Sequence, residues 1–551
     1  MAMVRPVQRQ PLLISSILRH AARHHPHTGV LSCSGPGLVE RTTYAALELR
    51  ARRLLRVLRR LGVLPGDRVA TLALSGIRHL ELACATTGLG AMFHPLDPGL
   101  PDDELTQLLD RGDDCVLFVD PGFADLAAAV LPRVRHCVRR LVVLCDEAAL
   151  PMVYLPVPVS LHCYEPLLAA EDPDEAWPVF SEDVAAVLSA AGGAGETLPV
   201  VAHSQRDIVL RTMAANQPDG LGLRATDHVL AGAELHQHFG WDVPLAAAMS
   251  GSTLLLPGWA AGGAGLAEFV AAERATCVAA SADVLLGVAR QVAARNAGGW
   301  PAMLPALQRV VLGGGAPAAL LADLAAGGIA ACQSYGVAEA GGMLTSTAPV
   351  AALAGLGGAA LMARAGSQGR ALFGTDLRLA DSDGSDLPWD GLAEGELQVR
   401  GPATGQILGE PSATGADGWL ATGDVASIDP HGYVTILDRL SDLIHAGGTW
   451  ISATALETAA LAHPDVAEAA CIAARHPKWV ERPLLLLVAW PGRSLDLAGV
   501  QALLQRQLPR WSLPDALLPL PALPRTRTGR VDKLALRRQY ADYLGHLPTR
   551  A

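Results

Sequence analysis

Two spacings of apolar residues alternate along this chain. Between residues 44 and 61, Leu47, Leu54, Leu58 and Leu61 recur at intervals of seven, four and three, which places them on one face of a helix. Thr42 or Thr43 stands where a cap belongs, and arginines fill the opposite, solvated face. A turn at Gly62, Pro65, Gly66 and Asp67 follows. Short apolar runs then alternate with helical stretches. Strands are expected at Arg68–Leu74, Phe93–Leu96, Val116–Val119 and Leu141–Leu144, with helices at His79–Gly90, Leu105–Leu109 and Leu126–Leu131. Strand–helix alternation of this kind predicts a parallel sheet with helices on its faces. It resumes with strand-like runs at Val184–Leu188, Thr253–Leu256 and Arg309–Leu312. From about residue 370 shorter strands and turns predict a small antiparallel β unit, and beyond Asp438 a compact α+β segment closes the chain. The fold class is therefore α/β: a large N-terminal domain of parallel-rich sheets with flanking helices and a small β unit over residues 1–438, and a small α+β domain over 439–551.

Composition narrows the class. The 551 residues exceed what one hydrophobic core accommodates, and half of them are hydrophobic. A net charge of −11 argues against nucleic acid as a partner. Nine cysteines, none in a C-x-x-C pair, read as a reduced, cytoplasmic chain without a metal cage. The first residues lack a sustained apolar core, so no secretory leader is expected. Two long uncharged stretches, Val243–Ala267 and Ala340–Ala363, are broken by Gly, Ser and Pro and read as buried sheet and helix, not as membrane spans.

The chemistry centres on LSAAGGAGETLPVVAHS, residues 188–204. Gly192, Gly193 and Gly195 follow a strand and precede a helix expected from Asp207. Such a loop turns backbone N–H groups toward phosphate. It also fits a plain turn between buried elements, and it carries Glu196 and no lysine.

Seven further stretches occur in order: LGGGAP (312–317), YGVAE (335–339), GELQVRG (395–401), DGWLATGD (417–424), GYVTILDRLSDLIHAGGTWIS (432–452), AARHPKWVERPL (473–484) and PRTRTGRVDKLALR (524–537). Together they resemble the AMP-forming acyl-CoA synthetases of the adenylate-forming superfamily, closest to the medium- and long-chain fatty-acid–CoA ligase branch. The resemblance implies two half-reactions. A carboxylate attacks the α-phosphate of ATP to give acyl-adenylate and pyrophosphate, and the thiol of CoA then displaces AMP. It also implies a mobile C-terminal domain turning about a hinge at Asp438. The expected ligands are a fatty acid or similar small carboxylate, an adenine nucleotide (ATP or AMP), Mg2+ and CoA. Interface and core stripes read alike, so monomer and homodimer stay open.

Matched residue by residue, the resemblance assigns Gly314, Gly315, Ala316 and Pro317 to the loop that receives adenine, and Tyr335, followed by Gly336, to the aromatic stacked on it. Glu339 resembles the carboxylate beside Mg2+, a hard cation that prefers oxygen. Asp424 resembles the residue that accepts both ribose hydroxyls, and Arg439 a second ribose contact. His236 resembles the histidine at the acyl-pocket mouth, although a satisfied core histidine reads the same way, and Trp241 the aromatic near it. Gly447, Gly448 and Trp450 resemble the loop along the pantetheine arm of CoA, while HPKW, 476–479, also reads as surface packing.

The chain departs from the family on the phosphate side. Ala190, Ala191, Gly193 and Ala194 stand where Thr and Ser usually do, Ala338 replaces a Thr, and Leu198 stands in place of the loop Lys. Arg530 replaces the catalytic Lys of the C-terminal domain, and Ser441 another Lys after the hinge. Losing the loop Lys and several hydroxyls removes about 4–8 kcal/mol of transition-state stabilisation if charge-assisted bonds to phosphate contribute roughly 1.5–3 kcal/mol each. Three readings follow: a ligase with weakened adenylation, for which ATP and Mg2+ use is in doubt; a catalytically impaired homologue that binds AMP, acyl-adenylate or acyl-CoA; and an enzyme that takes preformed acyl-adenylate to thioester.

Overall fold

The computed structural model describes residues 10–35, 37–155, 158–172, 176–190, 198–262, 265–294, 299–350, 366–408, 414–415, 417–447, 449–490, 492–524 and 531–546. They divide into two compact units: one of residues 1–377, 399–420 and 431–434, the other of 378–398, 421–430 and 435–551.

The first unit is built on two large sheets. One has eight strands in the order Gln406–Ile407, Val200–Ser204, Ala185–Ala190, Met92–Pro95, Arg68–Leu72, Asp114–Val119, Arg140–Val143 and Ser160–Cys163. The other has seven: Ala330–Ser334, Arg309–Gly313, Cys277–Ser281, His228–Ala231, Thr253–Leu256, Gly29–Gly35 and Leu38–Thr43. Most neighbours are parallel, for example Val229 beside Cys277 and Val69 beside Val116. The period-two rule of strands decides which residue enters which layer. Val229, Leu254, Val69, Val116 and Phe118 join one core with the helices Ile14–His24, Tyr44–Arg60 and Ile77–Leu89. Leu230, Leu255 and Val278 turn instead to the helices Leu266–Ala272, Ala282–Ala294 and Ala318–Ala326. Ala70, Leu117 and Val119 turn to the helices Asp102–Gly112 and Ala124–Val134. The layers thus run helix, sheet, helix, sheet, helix.

The helix read from the leucine spacing is Tyr44–Arg60, with Leu47, Leu54 and Leu58 buried and Thr43 as cap, its hydroxyl oxygen accepting from the Ala46 N–H at 3.3 Å. The glycine loop has a different context from the one expected. Val200–Ser204 forms a strand antiparallel to Ala185–Ala190, so these two strands make a hairpin, and the following helix starts at Gln205 behind a Ser204–Asp207 capping box.

A four-stranded sheet in the order Asp376–Ala380, Gly395–Arg400, Leu420–Ile428, Val434–Arg439, most of whose residues fall in the second unit, corresponds to the β unit read from residue 370 onward. A five-stranded sheet follows, dominated by the antiparallel pair Val466–His476 and Val480–Ala489. Cys471, Leu485 and Leu487 face the helices Ala453–Leu461 and Leu497–Gln507; Ile472, Leu484 and Leu486 face the helix Lys533–Tyr540. No helix among the described residues is long and apolar enough to cross a membrane.

Candidate functional site

Adjacent parallel strands bring together two of the stretches singled out in the sequence, Gly314–Pro317 and Tyr335–Glu339. Arg309–Gly313 and Ala330–Ser334 pair in register, Gly313 opposite Ser334. Their carboxyl ends therefore release Gly314–Pro317 and Tyr335–Glu339 side by side. The Gly314 N–H donates to the Ser334 carbonyl at 2.7 Å, and the Ala316 N–H to Gln333 Oε1 at 2.7 Å. Gly314 sits at φ +95, a conformation L residues rarely adopt, with open space where a Cβ would point. Gly314, Gly315 and Pro317 are exposed and Ala316 is half-buried, so this face is free to meet a flat ring. Tyr335 is buried, and its backbone is fixed on both sides: its N–H donates to Thr345 Oγ1 at 2.9 Å and its carbonyl accepts from the Leu344 N–H at 2.9 Å. Half-buried Gly336 follows. Half-buried Glu339 accepts at its carbonyl from the Gly405 N–H at 2.7 Å, and His203 Nε2 lies 2.9 Å from the Ala338 carbonyl. No group of three His, Cys, Asp or Glu side chains among the described residues is arranged to hold a metal. Mg2+ that arrives on nucleotide phosphates is usually held by one or two carboxylates plus phosphate oxygens, a donor set that the Glu339 carboxylate would fit.

His236 lies at a second convergence. In the eight-stranded sheet, Arg68–Leu72 has Met92–Pro95 on one side and Asp114–Val119 on the other; in the seven-stranded sheet, His228–Ala231 stands likewise between Thr253–Leu256 and Cys277–Ser281. These are the points where strand order reverses and open α/β sheets leave a crevice. The two are stitched together: the Ser75 N–H donates to Glu234 Oε2 at 2.6 Å, and the Leu235 N–H to Ser75 Oγ at 3.1 Å. Burial pushes Glu234 up to about 7 and Asp120 up to about 6. His236 Nε2 is 3.8 Å from Asp97 Oδ1, and burial lowers its pKa. The sequence reading passed over Glu234, Asp97 and Asp120. Their only shared signal is a position just past a strand end. Trp241 belongs to the core: it is buried, edge-on to Phe93 at 5.4 Å.

In the second unit, Asp424 lies within Leu420–Ile428 and Arg439 ends Val434–Arg439. Asp424 is 7% exposed, and Arg439 Nε approaches its Oδ1 at 3.7 Å while the guanidinium stays 59% exposed. Asp438 is buried as well. It accepts from Ser452 Oγ at 2.9 Å and the Thr454 N–H at 3.0 Å, which ties it to the start of the helix Ala453–Leu461. Gly447 adopts φ +58, and a Cβ there would meet the Trp479 ring at 2.6 Å. Its N–H donates to the Trp479 carbonyl at 3.1 Å. Trp450, 52% exposed, lies against His445 with ring centroids 4.9 Å apart and planes tilted by 49°. Trp479 of the HPKW stretch therefore packs on Gly447, a link that 31 residues of intervening chain conceal in the sequence.

Gly192, Gly193, Gly195, Gly448 and Arg530 lie outside the described residues. The flank of the glycine loop is described. Leu198 is half-buried and packs on the apolar cluster that holds Leu188 and Val200. Exposed Arg111, on the helix Asp102–Gly112, donates from Nη1 to the Leu198 carbonyl at 2.8 Å. The position expected to carry a lysine thus carries an apolar anchor, with a remote arginine bound to its backbone.

Residues 18–407 match a family described as AMP-binding enzyme, and residues 455–530 match the AMP-binding enzyme C-terminal domain. The chain is 35% identical over 549 residues to a medium-chain-fatty-acid–CoA ligase of Ectopseudomonas oleovorans, covering 98% of each. It is 36% identical over 546 residues to a long-chain-fatty-acid–CoA ligase of Thermus thermophilus, covering 97% of each. Among solved structures, an anthranilate CoA ligase in complex with anthranoyl-AMP superposes with a TM-score of 0.81 at 21% identity, over 98% of this chain and 99% of the other.

Proposed function

The chain belongs to the AMP-binding enzyme family, and from that premise we propose that it is an AMP-forming ligase joining an aliphatic carboxylic acid to CoA, with its adenylation half-reaction weakened. Tyr335 and the Gly314–Pro317 turn hold adenine, Asp424 and Arg439 hold ribose, Glu339 positions Mg2+ on the phosphates, and His236 stands at the acyl entrance. Gly447, Gly448 and Trp450 line the path of the CoA thiol arm. Gly192, Gly193 and Gly195 offer backbone N–H groups to phosphate, and Arg530 keeps a positive charge as a wide fork where a point ammonium is usual. Residues 1–438 act as the nucleotide-binding domain, and 439–551 turn about Asp438 between the half-reactions.

The observation that carries this reading is the contrast between the adenosine side and the phosphate side. Gly314–Pro317 and Tyr335 leave neighbouring strand ends together, whereas Leu198 spends its side chain on core packing. Thermal-shift titration with AMP, ATP·Mg and a fatty acyl-sulfamoyl adenosine, together with ATP–pyrophosphate exchange, tests it. AMP and the acyl-adenylate mimic are expected to stabilise the chain more than ATP·Mg, with slow but fatty-acid-dependent exchange. Stabilisation by ATP·Mg equal to that by AMP contradicts the weakened half-reaction. The burial of Leu198 also favours a second reading, a nucleotide-binding homologue without ATP turnover, and complete absence of exchange with intact AMP binding would select it.

A further inference from the structure

The segment that carries Tyr335 and Glu339 is gripped from behind by a buried ion pair. Arg211 and Asp242 are 5% and 0% exposed, and Arg211 Nε lies 3.0 Å from Asp242 Oδ1. Burying such a pair is expensive unless further hydrogen bonds use the remaining lone pairs. Here the other carboxylate oxygen is used: Asp242 Oδ2 accepts from the Met343 N–H at 3.0 Å. The two ends of the pair press on consecutive glycines. A Cβ on Gly341 would come within 2.7 Å of Arg211 Nη1, and one on Gly342 within 1.9 Å of Asp242 Oδ2. Both glycines have positive φ, +72 and +56, so the chain turns here in a way only glycine permits cheaply. The Gly341 N–H closes back on the Val337 carbonyl at 2.9 Å, making one turn with Glu339 at its crest.

The anchor has a source in the chain path. Arg211 sits on the helix Gln205–Ala215, directly downstream of the hairpin that bears the glycine loop, and Asp242 opens the helix Asp242–Ser250. His203, on the same hairpin strand, reaches the Ala338 carbonyl. The nucleotide-facing turn is therefore held by the element that follows the glycine loop.

We propose that Asp242, its charge balanced by Arg211, is a positioning residue that holds the Tyr335–Met343 turn in its nucleotide-binding shape through the Met343 N–H. This rests on the function proposed above only for the identity of the ligand. A turn loosened by a fraction of an ångström loses nucleotide affinity while the sheets behind it stay intact. Asparagine at 242 keeps an oxygen for the Met343 N–H; leucine does not. The neutral pair Arg211→Met with Asp242→Asn should thus preserve the anchor, and Arg211→Met with Asp242→Leu should remove it without leaving a stranded charge.

The test uses the full chain and two readouts, amide hydrogen exchange over residues 336–343 and AMP affinity by calorimetry. In the leucine variant, those amides should exchange about tenfold faster or more and AMP should bind about tenfold more weakly. Both should return to within about threefold of the parent in the asparagine variant. Exchange in the strand Arg68–Leu72 should not move. Should the leucine variant fail to fold, Asp242→Ser, too short to reach the Met343 N–H, takes its place. Unchanged exchange at 336–343 overturns the proposal, as does faster exchange with unchanged AMP affinity. Failure of the parent chain to bind AMP refutes the proposed function and the nucleotide role together, while the exchange rates still decide the anchor.

Discussion

Leu198→Lys is the substitution that bears most directly on the proposed weakness. It returns a cation to the position from which the family resemblance leads one to expect phosphate contact. One charge-assisted hydrogen bond to phosphate contributes about 1.5–3 kcal/mol, or roughly 10- to 150-fold in rate. The structure moves the expectation toward the lower limit, because Arg111 Nη1 already rests 2.8 Å from the carbonyl of the same residue and a second cation beside it is repelled. ATP–pyrophosphate exchange with a fatty acid should therefore rise about tenfold. The cost is small: Leu198 is only half-buried, so about 1 kcal/mol of apolar burial is lost, part of it recovered by the lysine stem. AMP binding should not change, since Leu198 lies outside the turn proposed to hold adenine. Exchange within twofold of the parent, in a folded variant that binds AMP normally, would show that missing charge at 198 is not what limits adenylation.

Asp424→Ala removes a buried carboxylate that takes both ribose hydroxyls in the proposed function, and AMP affinity measured by calorimetry should fall about 100-fold; an unchanged dissociation constant removes Asp424 from the site. Val480 holds a β-branched side chain at φ +71 while 66% exposed. Val480→Gly should relieve that strain and stabilise the second unit by about 1 kcal/mol after glycine's own entropy is counted, seen as a later denaturant midpoint; an earlier midpoint speaks against strain there. Glu234 is raised by burial to about 7, so the folded chain keeps this proton where the unfolded chain has lost it. Stability should then fall as pH rises from about 4.5 to about 7, by about 3 kcal/mol in total, and level off above. Glu234→Gln should flatten that slope in denaturant titrations across the window, and a slope identical to the parent's excludes Glu234 as its source.

Much of the architecture was legible in the chain because its causes are local. Helix Tyr44–Arg60 follows from leucines spaced seven, four and three residues apart and a capping threonine. Val229 and Leu230 part company into different cores simply because strand side chains alternate. The turn at Gly314 was legible for a similar reason, since consecutive glycines announce a backbone conformation that other residues rarely adopt. Where local rules compete, the reading slipped. Val200–Ser204 is only five residues long, and the helical signal from Asp207 onward masks a strand that forms by pairing with Ala185–Ala190.

By itself the sequence determined the α/β class, the order of the elements, the family, and the absence of a lysine at position 198. Only the tertiary structure decided that Leu198 is a packing residue, that Trp479 closes on Gly447, that Glu234 joins two strand-order reversals, and that Arg211 and Asp242 grip the turn bearing Glu339. The physical reason is separation along the chain. Periodicity and capping act over a few bonds and are written in neighbouring residues. A buried charge pair between positions 211 and 242 that holds residue 343 exists only once the path of the backbone has brought all three together and excluded water.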